Sequence, residues 1–226
     1  MLVQSLRAFL VLVFAIGAGT DLSFADMRIM VAESVAPTRA PAVAADGSQR
    51  AMLIEEDPFD PKGKQDAGSV IWRTGTLEPA GGVKSDIAVR ADIEIPDRDF
   101  KMTMLFRRNT DASLPASHTI ELIFALPPDF AGGGIANVPG ITMKLGEQSV
   151  GERLSGVVVK VSDSFFMMGL SNEALDRNLT LLKERSWFDV TLFYVSGRRA
   201  ILAVEKGAAG EQAFADATSA WAADQK

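Results

Sequence analysis

The feature that most constrains this chain is a short apolar run of period two that recurs along it, cut off each time by proline, glycine or a polar cluster. The clearest case spans residues 85–95, where Ile87, Val89, Ala91, Ile93 and Ile95 share one parity and Arg90, Asp92 and Glu94 the other. Side chains alternate across a strand, so this spacing predicts a strand with one buried and one wetted face. Pro96 and Asp97 end it, Phe100–Arg108 follows as a hairpin partner, and residues 118–126 resume the alternation after the polar turn NTDASLPAS. Residues 51–55 and 69–73 are brief strand candidates on either side of the polar loop EDPFDPKGKQD. A Gly-rich loop, FAGGGIANVPG, leads to a short run at 141–145. Residues 157–161 are almost continuously apolar, the pattern of a strand covered on both faces. Residues 187–195 and 198–204 flank Ser196-Gly197, a compact hairpin signal.

Helical periodicity is confined to two places. Residues 172–185 put Leu175, Leu179 and Leu182 on one stripe behind Ser171 or Asn172 as N-cap. After Gly207 and Gly210, a terminal helix puts Phe214, Ala217 and Trp221 on one side, suited to docking on a sheet. A parallel βαβ fold needs long helices between strands, and these are missing. The expected fold is therefore mainly β: an antiparallel β-sandwich or barrel-like domain with one short internal helix and a C-terminal helix.

The N-terminal part reads differently. Arg7 closes a short positive region, and residues 8–18 (AFLVLVFAIGA) are unbroken apolar sequence. A bilayer span needs about 20 such residues. The length suits a secretory signal peptide over residues 1–25, with the small residues Ser23 and Ala25 before a cleavage point at Asp26. A retained signal would instead anchor the N-terminus in the membrane, and Met27 offers a later start. Residues 26–50, rich in Ala and Pro, lack either periodicity and read as a flexible linker. Residues 51–226 form the expected single domain, placed in the periplasm or secreted, with no stable transmembrane span after cleavage.

Composition removes several kinds of chemistry. No cysteine is present, so disulfides, thiolate metal sites and cysteine nucleophiles are excluded together. A net charge of −6 gives no basic footprint for nucleic acid. His118 is the only histidine, and its parity with Ile120, Leu122 and Phe124 turns it toward the apolar face, away from Ser117. It reads as a structural residue, partly buried and hydrogen-bonded at a strand end. The stretch Gly169-Leu170-Ser171-Asn172-Glu173 lacks the final glycine of a nucleophile elbow. Glu55, Glu56, Asp57, Asp60 and Asp66 invite a calcium reading, but Phe59, Lys62 and Lys64 interrupt the ligand spacing. Gly132-Gly133-Gly134 opens no helix, so it serves as a strand connection with unusual backbone angles rather than a phosphate cradle. No catalytic residue, cofactor or metal site is assigned.

Two clusters are candidate binding residues. Arg107, Arg108, Asn109 and Asp111 crowd one turn, and Arg198 and Arg199 open the last hairpin strand. Guanidinium forks suit carboxylates, phosphates and acidic sugars. Surface ion pairing or protection of strand edges is the plainer role for the same arginines. Trp72, Trp187, Trp221 and Tyr194 supply either core volume or platforms for a sugar ring.

The segments RRNTDASLPASHTIEL, GGGIANVPGITMK, LLKERSWFD and RRAILAVEKGAAGEQAFADA resemble a group of uncharacterised exported bacterial proteins, a likeness that covers nearly everything after Ala51. It implies a shared fold and export, without an activity. In the last third, Leu182-Lys183 before a hairpin and the ending Gly210, Phe214 and Ala217 are similar to the invasion-associated locus B family of periplasmic proteins. That family typically carries a cysteine pair, and this chain has none. The second likeness implies a non-catalytic envelope protein. The resulting expectation is a module that binds another envelope protein or a polysaccharide through strand edges and arginine-bearing turns. The alternative is a glycan-binding or glycan-acting protein, which would expose Trp72 or Trp187 beside Asp189 or Glu121 in one groove.

Overall fold

The structure, a computed structural model, describes residues 48–57, 59–77 and 86–223. The expected signal peptide and residues 26–47 of the expected linker lie outside them. The first strand, β1 (Gln49–Asp57), already contains the last two residues assigned to the linker. It is followed by β2 (Asp60–Leu77), β3 (Asp86–Ile95), β4 (Phe100–Arg108) and β5 (Ala116–Ala125). Next come β6 (Ile135–Lys144), β7 (Glu152–Arg153), β8 (Gly156–Ser162) and β9 (Phe165–Ser171). Helix α1 (Leu175–Glu184), strands β10 (Trp187–Tyr194) and β11 (Arg199–Glu205), and helix α2 (Gly207–Ala223) follow. All strand pairs are antiparallel, in one curled sheet of order β7-β6-β10-β11-β1-β2-β3-β4-β5-β9-β8. The expected barrel-like, mainly β architecture is therefore a half-barrel.

The two outermost strands are consecutive in the chain. Only Leu154 and Ser155 separate β7 from β8, so one segment leaves one edge of the sheet and joins the other. Leu154 N–H donates to Ile141 O on the first side (2.9 Å), and Ser155 O accepts from Ser171 N–H on the second (3.0 Å). Asn178 of α1 fills the seam: Ser155 N–H donates to its Oδ1 (2.9 Å) and its Nδ2 donates to Ser155 O (2.8 Å). Asn178 has no exposed surface. A buried amide that pairs with both backbone groups of one residue adds to the β9 contact and fixes that residue in the seam.

Period two sets the register across the middle of the sheet. Val89, Ala91, Ile93 and Ile95 face inward beside Phe106, Met104, Met102 and Phe100 of β4. Outside, Arg90 and Arg73 flank Asp92 at 2.7 and 3.2 Å. A slip of one residue would reverse every one of these positions. Helix α2 fills the concave side with Phe214, Ala217 and Trp221, each fully buried. Phe214 meets Phe106 edge-on at 5.0 Å and Trp72 at 5.6 Å, and Trp221 Nε1 donates to Ile87 O (3.0 Å). Lys206, fully buried, donates to Leu182 O and Lys183 O in the last turn of α1 (2.8 and 3.1 Å). A cation on the free carbonyls of a helix end is a favourable cap.

Several expectations need correction. The supposed loop between the first two strands is mostly β2, and its Asp66 points inward, because Arg98 receives it there (3.1 Å). The second half of the Gly-rich loop already belongs to β6, leaving Gly133 and Gly134 with φ of 71° and 106°, the unusual angles expected. Helix α1 starts after a 3₁₀ turn at Asn172–Ala174, and its buried residues are Asn178, Leu181 and Leu182 rather than a Leu175/Leu179/Leu182 stripe. Strand β9 was not expected: FFMMGLS carries apolar residues on both parities and so shows no alternation. Strand β8 is not covered on both faces. It is an edge strand, exposed along most of its length, because the sheet ends there.

Candidate functional site: the outer groove of the edge hairpin

The six candidate binding residues do not converge. Register places Ala200 opposite Glu55 and Glu55 opposite Lys64, at one end of the sheet. Arg108 lies at the other end, where Leu77 meets Asp86. Each cluster is also engaged internally. Arg107 Nη2 binds Glu121 Oε1 (2.6 Å), and Arg108 Nε binds Asp86 Oδ2 (2.7 Å). Asn109 Nδ2 donates to the carbonyls of Asp111, Leu114 and Ala116, which staples the turn. Asp111 accepts from Ser113 N–H and Oγ–H (2.9 and 2.6 Å), contacts that hold its carboxyl below the usual range. Arg198 donates to Ala131 O (3.2 Å), and Arg199 pairs with Glu56 (2.8 Å).

His118 faces inward as expected, but deeper than a strand-end residue. It is 3% exposed, and its ring lies 4.7 Å from that of Trp221. The expected hydrogen bond is absent: neither ring nitrogen has a partner among the described residues. Burial, reinforced by the nearby Arg108 charge, pushes its pKa down to about 4. Trp72, Trp187, Trp221 and Tyr194 are all buried. None is available to stack on a sugar.

The acidic stretch does not gather into a metal site. Glu55 and Asp66 are buried on Arg98, whose guanidinium also lies over Phe130 at 5.6 Å. No group of three or more His, Asp or Glu side chains is arranged to hold a metal among the described residues. Arg98, Lys64 and Arg198 line a polar hollow of about 500 Å³ at this end, its buried charges already paired.

The feature that stands apart is on the convex face of β5, β9 and β8. Val157, Val159 and Val161 share one parity and are 70%, 57% and 54% exposed. Val159 lies beside Met167, which lies beside Glu121; Val157 lies beside Gly169, which lies beside Thr119. Gly169 leaves a gap in that row, where an added Cβ would meet only Ala116 Cβ, at 3.1 Å. A glycine inside a strand often marks close approach by another group. The resulting groove, about 670 Å³, is walled by Leu114 and Pro115 and continues past Thr119 toward Arg107. Arg107 and Arg108, which close β4 rather than stand in the expected turn, thus border the groove without lining it. The Thr119 hydroxyl is buried there without a partner among the described residues. Glu173 sits on the rim, its carboxyl held below the usual range by a hydrogen bond from Ser171 Oγ.

Such a surface suits apolar groups; its lining contains no acid–base pair. Sequence reasoning missed it by treating residues 157–161 as doubly covered. Lys160 inside that run was the available sign of an edge. Fold and groove together define a helix-plugged antiparallel β half-barrel with an apolar outer face. Comparison with protein-family models, curated proteins and solved structures finds no match to this chain.

Proposed function

We propose that this chain is an exported, non-enzymatic envelope module that captures an apolar segment of another envelope protein across the groove of β5, β9 and β8. The observation that carries the reading is the row Val157, Val159 and Val161, open to solvent on one face of the edge hairpin. A continuous apolar patch of this kind marks an interaction site. Complete burial of each valine would contribute at most about 1.5–3 kcal/mol, before the costs of association. Export follows from the N-terminal signal-like run, and the module would act in the periplasm or outside the cell. The glycan reading has less support, because every tryptophan it would use is buried.

A photo-reactive residue in place of Val157 should cross-link a discrete envelope protein in living cells. The same residue in place of Val195, which is 63% exposed on another hairpin, should not. Gly169→Val fills the groove from its floor and should abolish both the cross-link and calorimetric binding of the identified partner, with an unchanged circular dichroism spectrum. Equal cross-linking from Val157 and Val195, or full binding by Gly169→Val, would refute the proposal.

A further inference from the structure

The groove of β5, β9 and β8 has a slot in its floor. Val157 of β8, Gly169 of β9 and Thr119 of β5 lie side by side in register, so the three share one face. Valine and threonine stand up from the flanking strands, and no side chain stands between them. At about 4.8 Å per strand spacing, their Cα atoms are roughly 9.5 Å apart. That width suits a flat ring, and an aromatic packed over a strand glycine compensates for its missing side chain. Among the described residues no aromatic does so here, since an added Cβ at Gly169 would meet only Ala116.

The polar atoms beside the slot are unmatched. Thr119 is 3% exposed, and its hydroxyl has no partner among the described residues. Arg107, opposite Thr119 on β4, binds Glu121 through Nη2 (2.6 Å) but leaves its buried Nε without a partner as well. A purely apolar occupant would meet neither need. A hydroxyl at the tip of a ring brings a donor and an acceptor together. Rotation about one bond carries a threonine hydroxyl between staggered positions, so Thr119 can turn to meet it. On the rim, just past the end of β9, Glu173 is the single ionisable side chain among those that line the groove. Ser171 Oγ holds its carboxyl ionised, and no cation pairs with it among the described residues.

From these observations we infer that the segment captured here carries a tyrosine and, two residues away, a lysine or arginine. The tyrosine ring enters the slot over Gly169 and its hydroxyl meets Thr119, while the cation meets Glu173. Alternate residues of an extended segment share a face at a spacing of about 7 Å, and a long basic side chain spans the rest of the distance to the rim. A site that buries an unmatched polar group discriminates against an analogue that cannot pair with it. The inference rests on the capture reading of this groove proposed above and adds what the groove selects.

The test uses the full chain with N-acetyltyrosinamide and N-acetylphenylalaninamide, which differ by one hydroxyl. Titrated against the Gly169 amide and Val157 methyl resonances, the tyrosine probe should bind about three- to tenfold more tightly. Thr119→Val keeps the branched shape without the hydroxyl, and should equalise the probes without lowering the melting temperature. Thr119→Ser should keep the preference, and Gly169→Val should remove both probes. At low salt, the better binder of blocked Tyr-Ser-Lys and Lys-Ser-Tyr should exceed its glutamine analogue, a gain that Glu173→Gln cancels. Equal affinity of the two amides, a tyrosine preference that survives Thr119→Val, or a lysine gain that survives Glu173→Gln would overturn the inference and leave capture of an apolar segment standing. A groove that responds to neither amide overturns it too; if Val157 then also cross-links nothing, the capture reading falls with it.

Discussion

His118 allows one consequence of burial to be worked through to a measured curve. Its imidazole is enclosed against Trp221 of α2, with both nitrogens unpartnered among the described residues. The folded protein therefore resists protonating it: the pKa falls from 6.5 to about 4. Above the unfolded value the ring is neutral in both states and pH has no leverage through it. Below that value the unfolded chain takes up the proton first, so stability is lost as pH falls from 6.5 toward 4. At about 1.4 kcal/mol per unit, the loss reaches about 2 kcal/mol at pH ~5 and about 3 kcal/mol at pH ~4. His118→Phe keeps a ring beside Trp221, removes the proton site and breaks no hydrogen bond. Near neutral pH it should melt within about 1–2 kcal/mol of the parent, the range for a shape-conserving core exchange. By pH ~5 it should have gained about 2 kcal/mol relative to the parent, or roughly 4–8 °C in melting temperature. Urea unfolding of both proteins at a series of pH values isolates the term, since carboxylates common to both cancel. Parallel profiles between neutral pH and pH ~5 would refute the reasoning, and so would a severe loss in His118→Phe at neutral pH.

Two further perturbations test other parts of the same barrel. Arg98→Met leaves Glu55 and Asp66 buried without their shared cation, with the half-exposed Lys64 still near Asp66 (3.2 Å). Unfolding in urea should show a loss of about 3–5 kcal/mol; a loss below about 1 kcal/mol would mean the pair is solvated. Asn178→Ala removes both hydrogen bonds to Ser155 and orphans its N–H, at a cost of about 2–4 kcal/mol. Amide exchange in that variant should accelerate in β8 and β7 well before β3 and β4, and uniform acceleration would count against a local seam.

Fold class was legible because β3, β4, the β10–β11 hairpin and the buried side of α2 are written in local periodicity. Each has its apolar residues at the spacing its own geometry demands, so neighbours along the chain suffice to identify it. Two supposed loops and one apolar run were misread, and a second apolar run went unread, for one reason: their burial depends on partners distant in the chain. Asp66 lies inside only because Arg98 arrives from beyond β3. The FFMMGL run loses alternation because β9 carries core residues on one face and part of the groove on the other. Val157, Val159 and Val161 read as part of a doubly covered strand once Lys160 between them is discounted, and the order of the sheet leaves them at an edge.

The same division applies to the candidate sites. That Arg107, Arg108, Asn109 and Asp111 lie close together is a matter of adjacency, although the two arginines end β4 and only Asn109 and Asp111 stand in the turn; that His118 faces the core is a matter of parity. Whether those arginines were free, whether that histidine had a partner, and whether any tryptophan met solvent depended on tertiary structure. These are questions of what lies across the sheet, at separations where chain order carries no distance information. The groove belongs to that second category. Leu114, Val157 and Gly169 come from three separate stretches of chain, and only antiparallel pairing of β5, β9 and β8 brings them onto one surface.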